Sequence, residues 1–234
     1  MNIALLTAAG NGSRMGQELP KQFMEIDGIP VIVYTMKAFQ SHPEIDAIAV
    51  VCLKGWEDFL HHKAEEFGIS KLRWIFDGGA SNQESISNGI RGLEREGCKR
   101  DDIVLVQDGV RPLVDNRIIS ENIRMCIKTG YAVTGLVCKE AIMKVEDGKL
   151  INLEYSREEL IRTQTPHTYR LETLLNAHAE AEKRGIKDTI ASCTLLASLG
   201  CSEQHLVTGS ERNGLKLTRP EDIELFRAMI RMNH

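Results

Sequence analysis

The feature that most constrains the fold of this 234-residue chain is an alternation of short Ile- and Val-rich runs with longer segments of helical periodicity. The runs predict strands near residues 2–7, 46–52, 72–76, 103–107 and 131–137. Helices fit between them at residues 31–40, 56–67, 82–96 and 115–128. Such repeated strand–helix units are typical of an α/β fold, with a mostly parallel sheet covered by helices on both faces.

The pattern changes after residue 137. Residues 143–146 and 149–153 flank Asp147-Gly148, a strong hairpin signal, and predict a β-arm at about residues 138–160. Helices are then expected at 171–184 and 189–199, strands at 205–208 and 215–218, and a last helix after Pro220. No linker-like stretch divides the chain, so we expect one domain over residues 1–234.

Composition excludes several classes of partner. Lys and Arg total 29 against 33 Asp and Glu, and this net charge of -4 argues against binding to nucleic acid or an anionic membrane surface. No apolar run approaches the roughly 20 residues that cross a bilayer. The six cysteines lack metal or redox spacing, so we expect free thiols in a cytoplasmic protein.

A glycine-rich segment follows the first strand and points to phosphate binding. Residues 8–16 read AAGNGSRMG, and Pro20-Lys21-Gln22 follow. Glycine lets backbone N–H groups approach anionic oxygens at this edge of a sheet. The spacing GxGxxxG differs from the dinucleotide pattern, and no GxxxxGK[ST] loop is present. We therefore predict a loop that binds a triphosphate with two cations of its own, Arg14 and Lys21.

Two further motifs follow in order. They are DGVRP at residues 108–112 and LKLTRPED at residues 215–222. Together with AAGxGxRMGxxxPKQF at the amino end, they resemble the cytidylyltransferases that activate 2-C-methyl-D-erythritol 4-phosphate or ribitol 5-phosphate. The resemblance spans nearly the whole chain. It implies a Rossmann-like sheet of the nucleotide-diphospho-sugar transferase type with a protruding β-arm.

The resemblance implies a CTP-dependent reaction in which a polyol phosphate attacks the α-phosphorus and pyrophosphate leaves. Catalysis would then rest on positioning and on charge stabilisation by Arg14, Lys21 and Lys216, with Mg²⁺ spanning the phosphates. The residues implied to bind the nucleotide are Ala8, Ala9, Gly10, Gly12, Gly78, Gly79 and Ser85.

The same resemblance implies an acceptor site. Asp108 and Arg111 lie on the acceptor or metal side, and Asp108 is a candidate Mg²⁺ ligand. Thr165 matches a family contact to the acceptor, and Arg157 matches an arginine that the arm offers to the substrate phosphate of a second subunit. A homodimer with composite sites is therefore expected. Without the resemblance, Arg111 could simply pair with Asp108, and Lys216 and Arg157 could be solvated side chains.

Several family positions differ in this chain, and they cluster at the acceptor side. Gln107 replaces a histidine, Glu140-Ala141 replaces Asp-Thr on the arm, and Asp188-Thr189 reverses a Thr-Asp pair. Asn82 replaces the arginine of the base-side motif GGxxRxxS. A site that hydrogen-bonds hydroxyl groups discriminates strongly, so these changes suggest a different acceptor.

The sequence leaves the acceptor open. Ala8-Ala9-Gly10 favours 2-C-methyl-D-erythritol 4-phosphate and isoprenoid synthesis, which we place first. Asn88-Gly89-Ile90 and Val110 favour ribitol 5-phosphate and cell-surface polymer synthesis, the alternative. Two other classes remain: a dinucleotide oxidoreductase with Asp27 as its ribose ligand, and a catalytically silent nucleotide-binding dimer.

Overall fold

The computed structural model describes residues 1–10, 19–146 and 149–232. Its strands are β1 (Asn2–Ala8), β2 (Glu25–Ile26), β3 (Ile29–Pro30), β4 (Ala47–Cys52), β5 (Leu72–Asp77), β6 (Ile103–Asp108), β7 (Tyr131–Val137), β8 (Ile142–Glu146), β9 (Lys149–Tyr155), β10 (Ile161–Arg170) and β11 (Leu206–Thr208). Its helices are α1 (Val31–Ser41), α2 (Glu57–Glu66), α3 (Asn82–Arg95), α4 (Asn116–Thr129), α5 (Leu171–Arg184), α6 (Ser192–Ser198), α7 (Glu211–Gly214) and α8 (Pro220–Arg231).

Seven strands form the central sheet, in the order β11-β7-β10-β6-β1-β4-β5. Strand β1 is parallel to β4 and β6, and β4 is parallel to β5. Only β10 is antiparallel to its neighbours, β6 and β7. Thr7 is opposite Asp108 and Ala8 is opposite Cys52, so the carboxyl ends of these strands meet at one edge. The predicted mostly parallel α/β sheet is confirmed.

Helices cover both faces of the sheet. The first apolar cluster joins β1 and β4 to α1, α2 and α4 and contains Met36, Leu60 and Ile119. The second joins the opposite face to α3, α5 and α6 and contains Ile90 and Leu174. Each large side chain buried in this way stabilises the fold by about 1.5–3 kcal/mol. All six residues of β4 are buried, as expected for a strand with helices above and below it.

The helices begin and end where local chemistry favours it. The Asp115 side chain accepts a hydrogen bond from the Ile118 backbone N–H at 2.8 Å and so caps α4. Gly130 ends α4 in the left-handed conformation, with φ of 85°. Pro220 stands at the start of α8, where its missing N–H has no cost. No helix in the described ranges is long and apolar enough to cross a membrane.

The predicted arm hairpin is confirmed as a separate two-stranded sheet of β8 and β9. Its antiparallel register places Ile142 opposite Tyr155 and Glu146 opposite Lys149. The turn residues Asp147 and Gly148 lie outside the described residues. A short helical turn, Arg157–Glu159, leads from the arm back to the central sheet through β10.

Three sequence expectations differ from the structure. The predicted strand at 215–218 is absent, because Leu215 and Leu217 pack into a third apolar cluster with Phe226 instead of joining the sheet. The helix expected from residue 189 begins at Ser192, since Thr189 is held by Gln83. Strand β10 was not predicted, because its buried residues include polar side chains and Pro166.

Candidate active site

Two adjoining cavities open at the carboxyl edge formed by β1, β5 and β6. The larger has a volume of about 550 Å³ and the smaller about 210 Å³. The residues that line both cavities are Thr7, Asn82, Asp108, Ile190 and Lys216. Ligands of open α/β sheets bind at this edge, so the geometry offers two connected compartments with one charged boundary.

The larger cavity collects the described residues that the sequence predicted to bind the nucleotide. Its walls include Ala8, Ala9, Gly10, Gly78, Gly79 and Ser85, and also three lysines, Lys21, Lys54 and Lys216. These residues come from segments up to about 200 positions apart in the chain and are brought together by the parallel strands. Gly12 and Arg14, which belong to the same prediction, lie outside the described residues.

Gly78 is where the two glycine-containing loops touch. Its backbone N–H donates to the Cys52 carbonyl at 2.8 Å. A Cβ at this position would stand 2.3 Å from the Cβ of Ala9 and 3.0 Å from that same carbonyl oxygen. Any side chain would therefore push the loop after β1 away from the loop after β5. Glycine is required here for close approach of the two loops.

The start of α3 is tightly capped at the wall of the larger cavity. The Ser85 hydroxyl accepts from the Gly79 N–H at 3.0 Å, and the Ser81 hydroxyl accepts from the Glu84 N–H at 3.1 Å. Glu84 in turn accepts from the Ala80 N–H at 2.7 Å. These three hydrogen bonds fix the backbone at the positive end of a 14-residue helix, a favourable place for an anion.

Gln22 holds the other side of the cavity, and the sequence reasoning assigned it no role. Its buried side-chain amide donates to the carbonyl oxygens of both Ala8 and Gly10, each at 2.9 Å. These bonds hold the first turn of the glycine-rich segment against the chain that follows Lys21. The signal was its place directly after Lys21 in the motif, but the two acceptors become visible only in the structure.

Asp108 lies at the boundary of the two cavities between two cations. Its Oδ2 accepts from Arg111 Nε and from Lys216 Nζ, both at 2.9 Å. Burial alone would raise the pKa of Asp108, but the nearby charges of Lys216 and Arg111 outweigh it and hold the pKa below its ordinary value. The three side chains carry a net charge of +1, and this group is therefore suited to a phosphate.

The smaller cavity collects three of the residues predicted to bind the acceptor. Asp108, Arg111 and Thr165 all line it. The Asp108 N–H donates to the Thr165 hydroxyl at 3.2 Å, and Arg111 Nη1 donates to the Gly214 carbonyl at 2.6 Å. These bonds connect β6, β10 and the segment that carries Lys216. Arg111 is thus held between Asp108 of β6 and the Gly214 carbonyl of α7.

Comparison with known proteins decides the family. The family model described as IspD, 2-C-methyl-D-erythritol 4-phosphate cytidylyltransferase, matches residues 2–232. The chain belongs to this family. It is 40% identical over 233 residues to the ribitol-5-phosphate cytidylyltransferase of Lacticaseibacillus paracasei, covering 99% of this chain and 98% of that protein.

Other relatives are named for the erythritol derivative instead of ribitol 5-phosphate. The chain is 35% identical over 235 residues to the 2-C-methyl-D-erythritol 4-phosphate cytidylyltransferase of Clostridium acetobutylicum, covering 100% of this chain and 99% of that protein. Among solved structures, 4-diphosphocytidyl-2C-methyl-D-erythritol synthase of Anaerococcus prevotii superposes with a TM-score of 0.84. It covers 99% of this chain and 96% of that one, at 22% identity, and so shows the shared fold. The expected enzyme class, a cytidylyltransferase, is confirmed.

Arg157 of this cytidylyltransferase stands apart from the other predicted acceptor residues. It lies on the turn after the arm, and its Nη1 donates to the Lys139 carbonyl at 3.3 Å. It lines neither of the two cavities. Within one chain, the structure therefore joins Asp108, Arg111 and Thr165 but leaves Arg157 outside.

The positions where this cytidylyltransferase departs from the family pattern have structural partners of their own. Asn82 donates to the Ile190 carbonyl at 3.1 Å, and Gln83 accepts from both the N–H and the hydroxyl of Thr189, each at 3.0 Å. Helix α3 thus holds the segment before α6 against the cavities. Gln107 is buried and donates to the Arg111 carbonyl at 3.1 Å.

The cavity walls fit a magnesium ion that is held mainly by phosphates. Among the residues that the structure describes, no group of three or more His, Cys, Asp or Glu side chains could form a protein cage for a metal. Asp108 lines both cavities and Asp188 lines the larger one. Mg²⁺ is typically held by one or two carboxylates together with substrate phosphates, which matches this donor set.

Proposed function

We propose that this cytidylyltransferase transfers CMP from CTP to ribitol 5-phosphate. The observation that carries the transfer chemistry is the boundary group Asp108, Arg111 and Lys216, because it lies between a nucleotide-sized and a smaller cavity. The choice of acceptor is supported by the names of relatives at 36–40% identity, which are ribitol-5-phosphate cytidylyltransferases. A second candidate is 2-C-methyl-D-erythritol 4-phosphate, the substrate in the name of a relative at 35% identity.

In the proposed reaction, an oxygen of the acceptor phosphate forms a bond to the α-phosphorus of CTP. The bond between that phosphorus and the bridging oxygen to the β-phosphorus breaks, and pyrophosphate leaves with the electron pair. CTP occupies the larger cavity, and the polyol phosphate enters from the smaller one. Lys21 and Lys216 stabilise the charge that gathers on the phosphoryl oxygens, and Arg14 is expected to do the same.

The proposal includes Mg²⁺ bound to the triphosphate with Asp108 as a protein ligand. When bound, the ion would neutralise phosphate charge and favour departure of pyrophosphate. Asp108 also orients Arg111 and Lys216, so its carboxylate serves the site through both cations.

The proposal includes a homodimer in which Arg157 enters the partner's acceptor site. The supporting observations are that Arg157 lines neither cavity of its own chain and that the arm forms a separate sheet. Large apolar side chains are exposed around the arm, namely Val137, Met143, Tyr155 and Ile161, each at least 40% exposed. A cytoplasmic location is also proposed, supported by six cysteines that are all free thiols.

The test is pyrophosphate release with Mg²⁺, in which CTP, ATP, GTP and UTP are each crossed with ribitol 5-phosphate and 2-C-methyl-D-erythritol 4-phosphate. We expect release only with CTP and ribitol 5-phosphate. Release with CTP and only the erythritol derivative would replace the proposed acceptor by the second candidate. CTP binding without release for either acceptor would contradict the proposed function.

A further inference from the structure

Two buried polar atoms of the smaller cavity lack partners. Ser192 and His167 both line this cavity, and each is only 2% exposed. Ser192 Oγ and His167 Nε2 make no hydrogen bond with any residue in the described ranges. A buried polar group without a partner destabilises the fold, since it has lost its hydrogen bonds to water. Two such atoms at one cavity therefore indicate that a bound ligand supplies their missing hydrogen-bond partners.

The protonation state of His167 determines which hydrogen bond its ring can make with a ligand. Burial is the main cause that lowers its pKa to about 4, so the ring is neutral at pH 7. The ring also hydrogen-bonds the backbone of Gln164. Because Nε2 has no partner, this bond uses Nδ1, and a bond from Nδ1–H to a carbonyl leaves Nε2 as an acceptor. His167 thus presents a lone pair to the cavity.

Ser192 supplies the complementary group from a different element. It is the first residue of α6, whereas His167 lies in β10. Its hydroxyl can donate one hydrogen bond and accept others. The nearby hydroxyl of Thr189 is already engaged with Gln83 at 3.0 Å. The cavity therefore has one donor from α6 and one acceptor from β10.

The position of these residues separates them from the transferred phosphate. The boundary residues Asp108 and Lys216 line both cavities, whereas Ser192 and His167 line only the smaller one. A polyol phosphate with its phosphate at the boundary extends its carbon chain into the smaller cavity. Ser192 and His167 then meet the carbon chain, where a polyol carries hydroxyl groups.

We propose that Ser192 and His167 together bind one hydroxyl group of the acceptor polyol and so determine acceptor specificity. The Ser192 hydroxyl donates to the polyol oxygen, and His167 Nε2 accepts the polyol proton. A methyl or methylene group at this place would leave both protein atoms unpaired, and sites of this kind reject such analogues strongly. The inference rests on the proposed function, since it needs a polyol phosphate as acceptor.

The first experiment measures steady-state kinetics of Ser192→Ala and His167→Phe with CTP and ribitol 5-phosphate. We expect KM for the acceptor to rise about 5- to 30-fold in each variant, with KM for CTP unchanged. His167→Gln, whose side-chain oxygen can accept the same proton, should recover part of the loss. An unchanged acceptor KM in folded Ser192→Ala and His167→Phe would overturn the proposal. If His167→Phe does not fold, an unchanged acceptor KM in Ser192→Ala alone would overturn it.

Two matched controls test whether burial alone causes the effect. Ser198→Ala removes a hydroxyl from the same helix, where it donates to the Leu195 carbonyl at 2.7 Å. His178→Gln changes another buried histidine whose Nε2 has no partner in the described part of the chain, but it lines a different cavity. Both controls should keep the wild-type acceptor KM. An equal rise in the controls would show a structural effect and overturn the assignment.

The second experiment uses the monodeoxy analogues of ribitol 5-phosphate. With the wild-type enzyme, one of these analogues should have a lower kcat/KM than ribitol 5-phosphate. The size of this loss should match the loss that Ser192→Ala causes with ribitol 5-phosphate itself. That analogue should lose little more in Ser192→Ala, because the same contact is already absent. Equal further losses with every analogue would contradict a shared hydroxyl.

These outcomes are separable from failure of the proposed acceptor. If the wild-type enzyme uses only 2-C-methyl-D-erythritol 4-phosphate, the same variants are measured with that polyol, and a selective rise in its KM supports the two residues. If the wild-type enzyme uses neither polyol phosphate, the proposed function and this inference fall together.

Discussion

At the residue scale, the proposed chemistry depends on Lys21 and Lys216, which line the larger cavity. Lys21→Ala should lower kcat by about 10² to 10³, the usual effect of losing one electrostatic contact to a transition state. Pyrophosphate release at saturating CTP and acceptor measures this loss. Lys128→Ala removes a lysine of α4 that lines neither cavity, and it should retain full activity. A wild-type kcat for Lys21→Ala would remove this residue from the mechanism.

The ionisation of Asp108 tests the same boundary without turnover. Because Lys216 helps to hold the pKa of Asp108 below its ordinary value, Lys216→Gln should raise that pKa. The acid titration of the carboxyl carbon, followed by ¹³C NMR, should therefore shift to higher pH in the variant. An unchanged titration would mean that Lys216 does not contact Asp108 in solution.

The sequence predicted the charged part of the site but not its buried polar part. Asp108, Arg111 and Lys216 stand in the motifs that carry the family resemblance, and the resemblance implied their place in the site. Gln22, His167 and Ser192 are different, since their importance depends on which atoms they reach or fail to reach once buried. No spacing rule contains that information, and only the folded chain supplies it.

At the scale of elements, the start of α3 supports a prediction about nucleotide binding. Ser85→Ala removes the acceptor for the Gly79 N–H and should raise KM for CTP about 5- to 20-fold, because the loop loses its anchor. Ser87→Ala lies two residues further along the same helix and should leave that KM unchanged. Similar changes in both variants would argue for a general effect on α3.

The secondary structure was predictable where burial is apolar and regular. Strands β1, β4 and β6 and helix α5 were placed within one residue of their observed ends, because Ile and Val runs and Gly185 mark them. Strand β10 was missed since its buried residues include the polar side chains Gln164, Thr165 and His167, which line the smaller cavity. The alternation of apolar and polar residues at 215–218 predicted a strand that is absent. Packing against α8 buries the same side chains as a sheet would.

At the scale of the whole molecule, the arm predicts exchange of active-site parts between subunits. Arg157→Ala should weaken the acceptor more than CTP, and mixing it with Lys21→Ala should restore part of the activity. Mixed dimers would contain one site with both wild-type residues. Sedimentation velocity measures the dimer, and native mass spectrometry with one variant isotopically labelled confirms subunit exchange. No recovery after confirmed exchange would contradict the composite site.

The stability of the molecule should also depend on pH through His178. Burial is the main cause that lowers its folded-state pKa to about 4, while Arg91 lowers it further and Glu182 opposes this shift. An unfolded histidine titrates near 6.5, so the unfolded state binds the proton more readily between these values. The resulting stability is complete above about pH 6.5 and is lost as the pH falls towards 4.

The loss attributable to His178 is on the order of 3 kcal/mol over that interval. His178→Gln should therefore flatten the dependence of the unfolding free energy on pH, as measured by urea denaturation at several pH values. His61→Gln, which changes an exposed histidine, should keep the wild-type slope. Parallel curves for all three proteins would contradict the prediction.

The contact of Asp108 with two cations also has a consequence for the catalytic cycle. In the absence of substrates, the carboxylate serves as an internal counter-ion that keeps Arg111 and Lys216 in place. An incoming phosphate must compete with this carboxylate, which weakens ground-state binding. When the products depart, the same carboxylate is available to pair with both side chains again, which favours release of anionic products. Asp108 thereby lowers the affinity of the site for phosphate groups and favours turnover.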